Sequence, residues 1–295
     1  MFGLGKSLLM TVALLGAIPV LAASNPGAKP SHPAGAKKTK PAATSTTVVE
    51  KKEEAPRFSG FLLAARSHSL YDFKDGKKSE GMEYTLRLVA RLWAQYSLKV
   101  TGVYADDLRD QERGGQWQDT VAMLGHKPSP LGSYLLFSPL VGLGLPTSKA
   151  SQDAGLQASP KLGFVSLINP DKLVPGLTLT LNIIASRNIH SYETARSGAV
   201  NTAYSLAQNF NAAYEWKSLS FTLDFVHVNN WSYQNAMRDI FQMTQEIGYN
   251  VDKSLALALG HTNGGSTLKA DGMTSNVEFL DENSSLVYVA AQVNF

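Results

Sequence analysis

From Arg57 onward the chain alternates apolar and polar side chains with a period of two, the spacing of half-buried β-strands. One run sets Tyr84, Leu86, Leu88, Ala90 and Leu92 on one face against Glu83, Thr85, Arg87, Val89 and Arg91 on the other. The pattern recurs in Leu177, Leu179, Leu181 and Ile183 against Thr178, Thr180 and Asn182, and in Leu219, Phe221, Leu223 and Phe225 against Ser220, Thr222 and Asp224. A further run sets Phe241, Met243, Ile247 and Tyr249 against Gln242, Thr244, Glu246 and Asn250. Nowhere in this body does a 3.6-residue apolar period persist long enough for a substantial helix. The pattern predicts twelve strands, at about 57–67, 82–93, 96–105, 116–126, 132–145, 161–168, 176–186, 203–215, 218–228, 238–250, 254–262 and 284–295.

The connections decide the architecture. Short ones at Ala94-Gln95, 127–131, 169–175, Trp216-Lys217 and 251–253 alternate with long polar ones at 68–81, 106–115, 146–160, 187–202, 229–237 and 263–283. A soluble sandwich has no reason to gather short turns at one end and long loops at the other. A transmembrane barrel does, with an even number of tilted antiparallel strands, short turns on the periplasmic rim and long loops outside. In lipid every backbone donor needs a partner, so the only sheet that can span is a closed one, apolar outward and polar inward. Strand-end aromatics such as Trp93, Tyr96, Tyr104, Tyr204, Tyr214, Trp216 and Tyr249 suit interfacial girdles. The fold class read here is therefore all-β: a closed antiparallel transmembrane β-barrel of about twelve strands occupying residues 57–295.

The N-terminus reads as an address and a spacer. Lys6, the apolar run Leu8–Ile18, Pro19 and then Val20-Leu21-Ala22 form the pattern of a secretory signal peptide over residues 1–22, too short for a stable helical span. Residues 23–56 are rich in Pro, Ala, Lys, Ser and Thr, with too little apolar surface to offset their ordering entropy. They are expected to form a disordered periplasmic linker, whose lysines suit contact with an anionic polymer such as peptidoglycan. Of the 27 basic side chains seven precede Arg57, and of the 24 acidic ones three do, leaving the barrel 20 against 21. A basic face for nucleic acid is therefore not expected. The chain has no Cys, which excludes disulfides and thiol chemistry and leaves it to be held by packing alone.

The last ten residues, Leu286 to Phe295 (LVYVAAQVNF), alternate Val287, Val289, Ala291, Val293 and Phe295 outward. This resembles the terminal strand by which bacterial outer-membrane barrel proteins are recognised by their assembly machinery. The resemblance implies an outer-membrane location, the barrel-assembly machinery and outer-membrane lipid as partners, and Phe295 and Val293 as the assembly signal. Those proteins often carry an aromatic residue where Val293 stands. Gly142-Leu143-Gly144-Leu145-Pro146-Thr147 resembles the strand-end motif of a putative phenol-degradation (MetA-pathway) outer-membrane family, with Ser148 where that family has Gly, and it implies a conduit for small solutes.

Alternation places Arg66, Arg87, Arg91 and Lys99 inward from strands one to three, and Glu215, Asp224 and Glu246 inward from strands eight to ten. On opposite walls of a twelve-strand cylinder these groups would set a field across the lumen and filter solutes by charge. The same groups could instead pair and fill a narrow interior. Catalysis has little to stand on. No Gly-x-Ser-x-Gly occurs, and the six His are scattered without metal-ligand spacing, so neither a catalytic set nor a metal or other cofactor is expected. The function expected is a porin-like channel for passive passage of small polar or amphipathic solutes. A second reading is a structural, anchoring or receptor-type barrel whose tail contacts the cell wall, and a third is an outer-membrane hydrolase.

Overall fold

In the computed structural model twelve long strands each pair with the next in sequence, and the last pairs with the first, so the sheet closes without an edge. The structure describes residues 57–70, 79–93, 95–109, 115–269, 271–281 and 284–295. The signal peptide and linker expected at 1–22 and 23–56 lie outside them. The barrel strands are β1 (Phe58–Ser69), β2 (Glu80–Trp93), β3 (Tyr96–Asp107), β4 (Thr120–His126), β5 (Leu135–Leu145) and β6 (Leu156–Ile168), then β7 (Leu177–Arg187), β8 (Thr202–Trp216), β9 (Leu219–Ser232), β10 (Met237–Asn250), β11 (Leu255–Ser266) and β12 (Leu286–Asn294). Every pairing is antiparallel. Closure continues to the C-terminal residue, since Gly60 N donates to Phe295 O at 2.9 Å and Phe295 N donates to Gly60 O at 3.0 Å.

The expected asymmetry of the rims is present. At one end Trp216 reaches Leu219 through a turn in which Lys217 takes a left-handed φ of 58°. At the same end Asp252 accepts from the backbone of Ser254 and Leu255, which holds its carboxyl below the usual range. The other end carries the long connections, including 146–155, 188–201 and the loop after β11. Strand β4 is shorter than the pattern predicts. Gln116 and Trp117 do pair with β3, and Gln118 N still donates to Val103 O at 2.8 Å, but regular pairing stops before Thr120, where the loop after β5 binds Gln118 and Asp119. Thr147 Oγ1 donates to Gln118 O at 2.8 Å, and Asp119 accepts from Ser148 N at 3.0 Å. Ser148 in turn caps a short helix, α1 (Lys149–Asp153).

The two faces divide as the pleat requires. The outward face carries an exposed apolar belt that includes Leu62, Leu86, Leu88, Phe221, Leu223, Leu257, Leu259 and Val289. The inner face mixes polar residues with large apolar ones, Phe61, Val103, Leu140, Ile184 and Val226, all buried. Close fitting of this interior explains Gly142 in the strand-end motif. A Cβ there would come within 2.1 Å of Met123 Sδ, because Met123 lies across it from β4.

Candidate functional site

The ionisable side chains inside the barrel form the candidate site, and strand register fixes where each points. Phe61, Arg87 and Thr101 sit side by side across β1, β2 and β3 on the inner face. Arg87 Nε donates to Thr101 Oγ1 at 3.2 Å, and its guanidinium stands 5.0 Å from the centre of the Phe61 ring. Lys99 pairs with Val89 and shares that inner face. Arg91 has inner parity too, but it lies near the short-turn end of β2 and is exposed. Glu215 likewise has inner parity and is exposed, one residue from the end of β8.

The acids of the far wall are held by neutral donors. Asp224 on β9 accepts from Asn209 Nδ2 at 2.8 Å and Asn211 Nδ2 at 3.2 Å, both reaching across from β8. Glu246 on β10 accepts from Tyr288 Oη at 2.7 Å, from β12. The tyrosine ring can pass over β11 to reach Glu246 because Gly260 stands between the two on that strand. A Cβ at Gly260 would fall 2.2 Å from Tyr288 Cζ. Neither donor carries a charge, so these contacts satisfy carboxyl oxygens without forming an ion pair.

Arg66 is a correction. Register places it with Leu62 and Ala64 on the outer face, where it bonds Glu80 across β2 and is 62% exposed. Alternation fails in β1 because Phe61-Leu62-Leu63-Ala64-Ala65 is apolar on both faces, so nothing in that run marks which side is inner. Three inner residues were not singled out from the sequence as part of the site. Glu83 lies on the inner face of β2, beside the basic residues. Lys161 of β6 donates to Ser186 Oγ at 3.1 Å, and Tyr288 orients Glu246. Glu83 and Tyr288 were readable as polar residues at inward positions of clean alternating runs. Lys161 lies in the part of β6 that follows Pro160, where alternation is weak. Val293 and Phe295, at the closing seam, are 47% and 64% exposed on the outer side. Among the described residues no group of three His, Cys, Asp or Glu side chains could hold a metal ion.

No family model matches the chain, and no curated protein matches it. Solved structures do. An outer-membrane channel from Pseudomonas putida F1 superposes with a TM-score of 0.55 at 13% identity, over 83% of this chain and 98% of that one. The NanC porin superposes with a TM-score of 0.51 at 9% identity, over 79% of this chain and 98% of that one. At such identities the likeness is one of fold: this chain has the barrel fold of outer-membrane channels.

Proposed function

We propose that the protein is a narrow porin-like channel of the bacterial outer membrane, passing small polar or amphipathic solutes and performing no chemistry on them. The observation that carries this reading is a closed barrel with Arg87, Lys99, Lys161, Asp224 and Glu246 on its inner face. A barrel serving only as an anchor needs no ionisable groups inside, where each must be desolvated or paired at a cost of several kcal/mol. A channel uses them, because charges facing a low-dielectric constriction concentrate counter-ions and orient dipoles. The fold shared with an outer-membrane channel and a porin supports the reading. The strand-end motif 142–147, similar to that of the phenol-degradation family, favours a small organic solute with a polar group.

Single-channel recording of the refolded full chain tests the proposal. The folded protein is expected to conduct with small unitary steps. Replacing Arg87 and Lys99 together with Glu is expected to move ion selectivity toward cations, by a shift that shrinks near 1 M salt, where the screening length falls to about 3 Å. A correctly folded barrel that gives no conductance under any salt condition refutes the channel.

A further inference from the structure

In the half of the lumen nearer the short turns, the ionisable groups form two separate poles. Lys99 is three residues in from Tyr96 on β3 and Arg87 six from Trp93 on β2, while Asp224 is five from Leu219 on β9 and Glu246 four from Asn250 on β10. All four have inward parity. In a closed ring of twelve strands β3 and β9 are six apart whichever way the ring is counted, so Lys99 and Asp224 stand on opposite walls of the bore. At this level the described residues of the intervening walls are uncharged on the inner face, with Leu140 and Val165 on one side and Phe61 and Ala290 on the other.

Neither acid is spent on a cation. Asp224 takes the amides of Asn209 and Asn211, and Glu246 takes the Tyr288 hydroxyl, each carboxyl acting only as an acceptor, as ionised carboxylates do. Across the bore Arg87 meets the Thr101 hydroxyl and the Phe61 ring, and Lys99 has neither a hydrogen bond nor an ion pair among the described residues. Charges held in this way in a confined interior gain from an opposite charge carried by whatever passes.

The balance of signs says what that solute is. Two cations face two anions, and toward the long loops Lys161 and Glu83 add one charge of each sign, so the bore has no net charge with which to enrich either kind of ion. An anion gains at the basic pole and loses at the acidic one, and a cation does the reverse. A solute carrying both signs gains at both. Barrels of eight strands are filled by side chains and those of sixteen to eighteen hold a wide aqueous channel, so twelve strands leave a bore in which one small solute meets both poles.

We propose, resting on the channel function above, that the preferred solute is a small zwitterion with an ammonium and a carboxylate at opposite ends of a short chain. Its carboxylate accepts from Arg87 and Lys99, its ammonium donates to Asp224 and Glu246, and its hydrocarbon middle crosses between the uncharged walls.

The test compares entry of four solutes of matched length into proteoliposomes of the full chain: γ-aminobutyrate, a zwitterion; γ-aminobutyramide, a cation; succinamate, an anion; and succinamide, which is neutral. Trapped solute is measured by mass spectrometry and referred to succinamide in the same vesicles. At about 0.1 M salt γ-aminobutyrate is expected to enter about fivefold faster than either singly charged analogue, as for one further charge contact, and the advantage is expected to vanish near 1 M salt, where the screening length is about 3 Å. Arg87→Gln with Lys99→Gln is expected to remove the advantage over γ-aminobutyramide, and Asp224→Asn with Glu246→Gln the advantage over succinamate, while Lys253→Gln in a rim turn keeps the wild-type ratios. Heat-modifiable migration reports folding of each variant, and should a double variant fail to fold the salt dependence of the wild type decides. Equal entry of all four solutes, faster entry of a singly charged analogue, or a zwitterion advantage that persists at 1 M salt or in the neutralised variants overturns the proposal and leaves the channel standing. Entry of none of the four through a folded barrel overturns the channel and this proposal together.

Discussion

Gly260→Ala is the smallest change that probes the inner wall. The new methyl carbon would sit 2.2 Å from Tyr288 Cζ, whereas ordinary contact begins near 3.4 Å, so the ring must retreat by about 1.2 Å. A retreat of that size takes Oη from 2.7 Å to beyond hydrogen-bond reach of Glu246. Losing a hydrogen bond to a carboxylate costs about 1.5–3 kcal/mol, and replacing Gly by Ala within a strand returns about 0.5–1 kcal/mol. The net expectation is a destabilisation of about 1–2 kcal/mol. Urea unfolding of the barrel in lipid, followed by tryptophan fluorescence and heat-modifiable migration, measures it. The reasoning makes a sharper demand in a Tyr288→Ala background, where the ring is gone and only the strand preference remains. There Gly260→Ala should become stabilising by about 0.5–1 kcal/mol, a change of sign. The same destabilisation in both backgrounds would refute the steric account of Gly260 and the role of Tyr288 with it.

On the outer face, Leu88→Arg should cost about 2–4 kcal/mol of folding free energy while Thr180→Arg on the inner face costs much less, and equal penalties in unfolding titrations would contradict the register. In the long loop after β7, burial and then the nearby Arg187 charge lower the pKa of His190 below its usual 6.5, opposed by the Asn188 carbonyl. His190 is therefore held neutral against the Tyr233 ring, so its contribution is complete above pH 6.5 and lost as pH falls through 6.5 toward the folded value. Limited proteolysis of residues 191–200 is expected to quicken between pH 7 and 5 in the wild type and to lose that dependence in His190→Asn; a flat wild-type profile argues against it. Deleting residues 24–56 should leave heat-modifiable barrel migration intact, and failure of the deleted chain to fold would mean the segment contributes to the barrel.

The twelve strands were legible because each needs only local alternation and a turn to announce it, and β2, β7 and β9 carry both. Strand β4 was read too long since its break involves Thr147 and Ser148, nearly thirty residues away, and no local feature marks Asp119 as bound by that loop. The inner charges Arg87, Lys99, Asp224 and Glu246 follow from the parity of clean runs. Arg66 does not, because parity carries information only where the two faces differ in polarity, and in the middle of β1 they do not. What holds Asp224 and Glu246 was beyond reach for another reason. Asn209, on the strand beside Asp224, and Tyr288, two strands from Glu246, become their partners only through strand pairing, a relation set by register and not by spacing along one strand.

Part of the outer wall is polar and lies under the loop after β11, where Asn263 Nδ2 donates to Glu278 O and the Phe279 ring stands 6.0 Å from the His261 ring. That covered wall was present in the sequence as a gap. The outward row of β10 runs Phe241, Met243, Ile247, Tyr249 and skips Gln245, and the row of β9 stops being apolar at His227. Taken singly, each interruption looks like a strand passing out of the apolar belt at its end. Pairing changes that meaning, because His261 stands directly opposite Gln245, and Asn263 opposite Met243, so polar residues on neighbouring strands form one contiguous surface that begins directly beyond the apolar Leu257 and Leu259. A polar surface adjoining the apolar belt is better covered than bare, since unpaired side-chain amides in hydrocarbon cost several kcal/mol. The loop that covers it turns outward the apolar side chains the wall lacks, with Val277, Phe279 and Leu280 exposed at 41%, 61% and 47%. Outward polar gaps on adjacent strands, followed by a long loop rich in large apolar residues, are therefore one feature seen from two places in the sequence.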